Sequence, residues 1–175
     1  MNSIFVEIEK YGIYFLDIGC SGLLDKKWSK LYSLMYYTGF DPNTEECARL
    51  NNQPHPFRKA RYLTYALAAK SGQATMYKTK DIYCYSLLPP NHKWLNRFSY
   101  SDLFNEVGTE NVICITLDDL VYKEGLKADI IKLDTQGLEL PILQAGKELL
   151  KNVLCIEVEN GFVENYNRRN NICRY

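Results

Sequence analysis

The sequence contains no CxxC pair and no cluster of histidines, and its six cysteines, Cys20, Cys47, Cys84, Cys114, Cys155 and Cys173, are scattered along the chain. Such scatter excludes the ligand spacing of a structural zinc site, and no metal site is expected. Cys114 and Cys155 fall inside apolar runs, where a free cysteine behaves as a small hydrophobe, so reduced and mostly buried thiols are expected. Charge of one sign is equally lacking. Lys plus Arg and Asp plus Glu both number 21, leaving no basic field to recruit nucleic acid or an acidic membrane. Long apolar runs are missing as well: "NVICITL" and "NVLCIEV" are strand length, against the ~20 residues of a membrane helix. The N-terminus, "MNSIFVEIEKYG", alternates and carries acids where a secretory signal would be basic and then solidly apolar. A cytoplasmic protein with neither nucleic-acid nor membrane partners is the expectation.

What is present fits one domain over 1–175, a length that buries a continuous core but is too short for two ordinary ones. Residues 4–10 read as a strand-like segment turning at Tyr11-Gly12 into a first sheet strand, "IYFLD". In "DKKWSKLYSL", Trp28, Leu31 and Leu34 stand three apart, the pattern of a short helix with one apolar face. "MYYTGFD" reads as a second strand, and Asn43 three residues before Glu46 has the spacing of a capping box. "ARYLTYAL" reads as a third strand, turning through "KSG" into an antiparallel partner, "QATMYKT". Residues 81–110, with Pro89-Pro90 and several aromatics, read as a long loop with helical pieces, a length often given to lids and binding segments. There "Tyr83, Tyr85, Trp94, Phe98 and Tyr100" either stack on an acceptor or form a local core. "NVICITLDDL", "ADIIKLD", "LELPILQAGKELL" and "NVLCIEVEN" then give strand and helical turn, strand, helix broken at Gly146, and strand; the tail from Val163 has no strand pattern. Strands alternating with helices imply right-handed crossovers, hence an α/β fold whose open, mostly parallel sheet carries helices on both faces.

In such sheets the ligand crevice lies beyond the carboxyl ends of the strands. Asp17 ends the first strand there, and the turn Gly19-Cys20-Ser21-Gly22 leaves main chain bare for a bulky ligand. Asp41, followed by Pro42, ends the second strand, where a carboxylate's two oxygens match the vicinal hydroxyls of a ribose. The spacing is not the G-x-G-x-x-G of a dinucleotide site, and an acid two residues before the first glycine disfavours an anion. A cationic sulfonium nucleoside, S-adenosylmethionine, suits those charges. In "DIIKLD", alternation puts Lys132 and Asp134 on one face, and "CIEVEN" does the same for Glu157 and Glu159. Lys132 is then either one half of a strand-locking ion pair with a glutamate or part of the reaction site; Asp134 or a glutamate is the candidate base for an acceptor hydroxyl.

"FLDIGCSG", "GFDPN", Ser86-Leu-Leu88, "TLDDL", "IKLDTQGLELPILQAG" and "CIEVE" occur in the order seen in FkbM-type methyltransferases, which the chain resembles from about Phe15 to Tyr166. The resemblance implies a Rossmann-like class I methyltransferase fold and S-adenosylmethionine-dependent methylation, often of a sugar or polyketide-type hydroxyl. It places Asp17, Gly19 and Gly22 at the methionine end, Asp41 at the ribose, and Asp134 to Glu139 on the reaction side; Cys20 and Pro42 are counted with the cofactor-binding candidates, and alternation adds Lys132 and Glu157 to Asp134 and Glu139 as catalytic candidates. Gln136 stands where many members carry Glu, no acid follows the third strand, and the family usually adds sheet strands after the position of Tyr166. A sheet shortened at that end would offer an edge for homodimerisation. The leading expectation is an O-methyltransferase acting on a small-molecule or glycan acceptor; the alternative is a non-catalytic or truncated methyltransferase-like binding module.

Overall fold

The run Ile13–Ile18 forms β1 at the centre of a five-stranded sheet, and a computed structural model describes residues 3–22, 24–159 and 164–167 around it. In chain order the elements are α1 (Ser3–Tyr11), β1, a 3₁₀ helix (Lys26–Leu34), β2 (Met35–Phe40), α2 (Thr44–Asn51), β3 (Lys59–Leu63), β4 (Ala66–Leu67) and β5 (Gly72–Thr79). After short helical turns, α3 (His92–Leu95) among them, come β6 (Glu106–Ile115), α4 (Leu117–Glu124), β7 (Ile130–Leu133), α5 (Glu139–Gln144), α6 (Lys147–Leu150) and β8 (Cys155–Val158). The main sheet has the order β3-β2-β1-β7-β8 with every pair parallel. Its strand order reverses between β1 and β7, which opens a crevice at their carboxyl ends.

Period-two alternation divides the core in two. Leu16, Ile18, Phe40, Ile131 and Leu133 face Leu117 and Leu120 of α4, Ile142 of α5 and Leu149 of α6. Phe15, Met35 and Tyr37 face Cys47 and Leu50 of α2 on the other side, where Trp28, Leu31 and Tyr32 of the 3₁₀ helix complete the layer. Each large side chain buried in this way contributes roughly 1.5–3 kcal/mol. Helices cover both faces, so the central strands read as nearly continuous apolar runs. Among the described residues no helix is long and apolar enough to cross a membrane.

Three local expectations are corrected. The first segment is α1, not a strand: Ile4, Ile8 and Tyr11 satisfy helical spacing as well as Ile4, Val6 and Ile8 satisfy alternation, and the helix leaves Val6 48% exposed. Gly12, at φ +76°, ends it by donating its N–H to the Ile8 carbonyl. The segment from Lys26 is 3₁₀ and not α-helical; with three residues per turn, it stacks the three-apart apolar residues along one line, and the Asp25 carboxylate accepts from Lys27 N at its start. The expected hairpin after the third strand does not form. Asn51 brackets Tyr62, accepting from its N–H at 2.9 Å and donating to its carbonyl at 2.8 Å, so the outer edge of β3 is satisfied by a side chain. The chain then leaves the sheet: β4 pairs in parallel, and β5 antiparallel, with β6 in a second three-stranded sheet.

Half of the expected capping box forms: Asn43 Oδ1 accepts from Glu46 N at 3.1 Å, but the Asn43 N–H donates to Asp41 and the Glu46 carboxylate is taken by Arg49, so the reciprocal bond is missing. Of the loop expected over 81–110, residues 81–104 are a connection with short helical pieces but 106–110 begin β6, paired with β5; Gly146 separates α5 from α6. Cys20, Cys47, Cys84, Cys114 and Cys155 are free thiols, Cys155 being exposed. The expectation of an unpatterned tail falls largely outside the described residues; within them Tyr166 bridges Pro90.

Candidate functional site

All five strands of the main sheet deliver residues to one cavity of about 260 Å³. Gly19 and Ser21 follow β1, Asp41, Pro42 and Asn43 follow β2, Tyr65 follows β3, Asp134, Thr135 and Gln136 follow β7, and Glu159 follows β8. The second sheet closes the other side with Ala66, Leu67 and Met76, and the connection after β5 adds Tyr85 and Ser86, the latter bridging Tyr77 of β5. The volume lies near the lower end of small-molecule sites, roughly 300–1,000 Å³. Apolar walls with a few convergent polar groups are the usual composition of such a site.

The glycine turn is fixed by close approach. Gly19 has φ +82°, and a Cβ there would overlap the carbonyl oxygen of Asp134. Its N–H and that of Cys20 both donate to the Phe40 carbonyl, at 2.9 and 3.2 Å, which locks the β1 turn onto the end of β2. Cys20 itself is buried against Gly39, and burial pushes its thiol well up, so it is an inert filler. Gly22, at φ +88°, lies beside the Tyr83 ring and does not line the cavity. Asp41 does, although only 7% exposed: its Oδ2 accepts from Ser21 Oγ at 2.7 Å and its Oδ1 from Asn43 N at 2.8 Å. Each oxygen keeps a lone pair for a ligand hydroxyl. Burial raises the Asp41 pKa, against the pull of these hydrogen bonds.

Asp17 is placed differently from the expectation of ligand contact. It is 2% exposed, does not line the cavity, and is held from two sides, Oδ2 accepting from the Tyr37 hydroxyl at 2.7 Å and Oδ1 from Lys132 Nζ at 3.0 Å. Register explains the pairing, because Lys132 stands directly beside Asp17 on the neighbouring strand while Gly39 on the other side has no side chain. The expected Lys132–glutamate pair is therefore replaced by Lys132–Asp17. Burial opposes the charge on Lys132, but Asp17, Asp134 and Glu157 together hold its ammonium above the ordinary lysine range. For Asp17 burial outweighs Lys132 and raises the carboxyl. The Lys132 ammonium also lies 4.0 Å from Asp134 Oδ2, so a half-buried cation sits directly behind a carboxylate of the cavity. Glu157 points to the 3₁₀ helix, where Lys27 Nζ at 2.9 Å and Trp28 Nε1 at 3.1 Å take its oxygens; it does not reach the cavity.

Asp134 lines the cavity at the head of a tight turn, in which Gln136 has φ +56° and Gly137 φ +112°. Glu139 makes that turn: its Oε1 accepts from Thr135 N at 3.1 Å, Thr135 Oγ1 at 3.2 Å and Gly137 N at 3.0 Å, and its side chain stays buried outside the lining. Of the residues expected from sequence, the structure thus gathers Gly19, Asp41, Pro42 and Asp134 at one cavity, sets Asp17, Lys132 and Glu139 behind it, and leaves Cys20, Gly22 and Glu157 off it. Residues not anticipated complete it. Ser86 Oγ donates to the Gln136 carbonyl at 3.0 Å and accepts from Leu88 N at 3.0 Å, tying the second sheet to the turn; the Ser-Leu-Leu element is its sequence signal. Tyr83 and Tyr85 line the cavity, whereas Trp94 tilts against Phe98 and Phe98 stacks on Tyr100 as a local cluster. Among the described residues no group of His, Cys, Asp and Glu is arranged to hold a metal ion.

The 2-O-methyltransferase NoeI of Sinorhizobium fredii (strain NBRC 101917 / NGR234) is 25% identical over 169 residues, covering 91% of this chain and 68% of that protein. No solved structure matches the chain. The family model of the methyltransferase FkbM domain matches residues 23–171, nearly everything from the glycine turn onward. A five-stranded parallel sheet, a glycine turn against the Asp134 carbonyl and this match lead to one conclusion: the chain belongs to the FkbM methyltransferase family.

Proposed function

We propose that the chain transfers a methyl group from S-adenosylmethionine to a hydroxyl of a sugar or other small hydroxylated acceptor. The observation that carries the reading is the convergence of Asp41, the bare Gly19 main chain and Asp134 on one cavity at the strand tips. The donor set fits the group: three carboxylates, Asp41, Asp134 and Glu159, line the cavity with no Lys, Arg or His among the lining residues, which suits a cationic ligand. When bound, S-adenosylmethionine supplies a methyl group activated by its sulfonium charge.

Asp41, held by Ser21 and Asn43 N, offers its spare lone pairs to the ribose hydroxyls. Phe40, Leu67 and Met76 give the adenine an apolar slot, and main-chain groups from Tyr65 to Leu67 replace the acid missing after β3. Gly19 and Ser21 receive the methionine end. Asp134 stands where an acceptor hydroxyl would come within hydrogen-bond reach and would take the proton that this hydroxyl gives up on methylation. Lys132 and Asp17 fix Asp134 from behind, and alignment of the two reactants supplies much of the acceleration. NoeI, whose name states 2-O-methylation, supports a hydroxyl acceptor.

Isothermal titration with S-adenosylhomocysteine tests the reading. Saturable binding to the folded protein, weakened in Asp41→Ala, is expected; well-folded protein with no binding heat overturns it.

A further inference from the structure

The connection that follows β5 runs along the cavity and meets both of the turns that frame it. Asp81 opens a single 3₁₀ turn, Ile82–Cys84, its Oδ1 accepting from Tyr83 N and its carbonyl from Cys84 N, each at 3.0 Å. The backbone is pinned on either side of that turn. Asp81 N donates to the Leu103 carbonyl at 3.1 Å, and Ser86 exchanges two main-chain hydrogen bonds with Tyr77 of β5, at 2.8 and 3.3 Å. Ser86 Oγ reaches the β7 turn through the Gln136 carbonyl. The Tyr83 ring reaches the β1 turn, where a Cβ on Gly22 would stand 3.7 Å from its hydroxyl oxygen and 3.8 Å from its Cε1. Two large side chains of this segment remain in water: Ile82 is 43% and Tyr83 63% exposed, and both line the cavity. A single exposed hydrophobe is ordinary, but a consecutive pair at the rim of a cavity, on a backbone held in place, is apolar surface suited to be covered by a ligand.

We propose that Tyr83 is a donor-binding residue: its ring, with Ile82 beside it, covers the nucleoside seated at the glycine turn and slows its departure. The proposal rests on the methyl-transfer reading and adds to its donor site a contact from outside the main sheet. Position selects the donor over the acceptor. Tyr83 meets the β1 turn, which receives the methionine end in that reading, whereas the Asp134 turn is met by Ser86 of the same segment. A tyrosine ring supplies a large rigid contact without a matching donor or acceptor on its partner. Such contacts act chiefly on the rate at which a complex comes apart.

Surface plasmon resonance with S-adenosylhomocysteine over the immobilised full chain tests it. In Tyr83→Ala the nucleoside is expected to leave about tenfold faster, with association changed by no more than about threefold. Tyr83→Phe should release it at nearly the wild-type rate, because the ring and not the hydroxyl makes the contact. Truncating an exposed side chain should leave Tm within about 2 °C of wild type, which separates a lost contact from a lost fold. Nitration by tetranitromethane, read by peptide mass spectrometry, gives a second measurement on the wild type. Saturating S-adenosylhomocysteine should slow modification of Tyr83 by about fivefold or more, as fits a site that encloses its ligand, while the comparably exposed Tyr11 and Tyr122 react at unchanged rates. Unchanged release from Tyr83→Ala, or equal nitration of Tyr83 with and without S-adenosylhomocysteine, overturns the proposal and leaves the methyl-transfer reading standing, since binding itself persists in both results. Folded wild-type protein that binds no S-adenosylhomocysteine overturns that reading and this proposal with it.

Discussion

Lys132→Met isolates the ion pair behind the cavity. In the native protein the Asp17 carboxylate is 2% exposed and shares its charge with Lys132 Nζ at 3.0 Å and the Tyr37 hydroxyl at 2.7 Å. Methionine fills much the same volume but leaves Asp17 with the tyrosine alone. Removing one partner of a buried pair costs about 3–5 kcal/mol, which in a chain of this length lowers Tm by on the order of 10 °C. Protonation gives Asp17 an escape, and the sign of the pH dependence follows from it. Burial already raises the Asp17 pKa in the folded state, and loss of Lys132 raises it further. A carboxyl that binds its proton more tightly when folded favours the native state below its unfolded pKa and loses that advantage as pH rises through the folded value. The deficit of the variant is therefore largest at neutral and alkaline pH and shrinks in acid. Urea unfolding at pH 5 and pH 8 measures it, and Asp17→Asn/Lys132→Met should regain most of the loss, because asparagine stays neutral and still accepts from Tyr37. A Lys132→Met midpoint equal to wild type at both pH values, or a deficit that widens in acid, would refute the reasoning.

Asp41→Ala should weaken S-adenosylhomocysteine binding at least tenfold while costing the fold only about 1–2 kcal/mol for two lost hydrogen bonds, read by calorimetry and melting. Because burial raises its pKa, wild-type affinity should begin to fall on acidification above the pH range of an ordinary aspartate, and this step should vanish in the alanine variant. Asp134→Asn should lower turnover by about 10²-fold or more with cofactor affinity nearly unchanged; single-turnover methylation of a hydroxylated acceptor checks it. Glu139→Ala strips the acceptor from Thr135 N and Gly137 N, so a stability loss of roughly 2 kcal/mol and faster amide exchange at both residues are expected.

Much of this architecture was legible because its signals are local. The runs that became β1, β2, β7 and β8 are apolar, strand length and separated by helical segments, and Asp41 and Asp134 could be placed at the cavity because an acid after such a run lies at a crevice by geometry. What escaped depends on partners distant in the chain. Nothing near Ala66-Leu67 announces that it will pair with residues 114–115, and nothing near Tyr62 announces that Asn51 will seal its edge. Asp17 read as a ligand residue because its position matched; only the register with β2 and β7 reveals that Tyr37 and Lys132 have already claimed it. The left-handed conformation of Gln136 carried no local mark, since its side chain and carbonyl are held by Ser86 and the two carboxylates around it.

The central position of β1 governs the order in which a nascent chain completes this sheet. One edge of β1 is met at once by β2, but its other neighbour begins at Ile130, and the amide of Tyr14 waits for the carboxylate of Asp129, 115 positions later. During synthesis, then, the middle of the sheet stands as an open apolar border until the β7 segment has left the ribosome. Chaperone engagement on ribosome-bound chains should accordingly persist past residue 120 and fall once Leu133 has emerged.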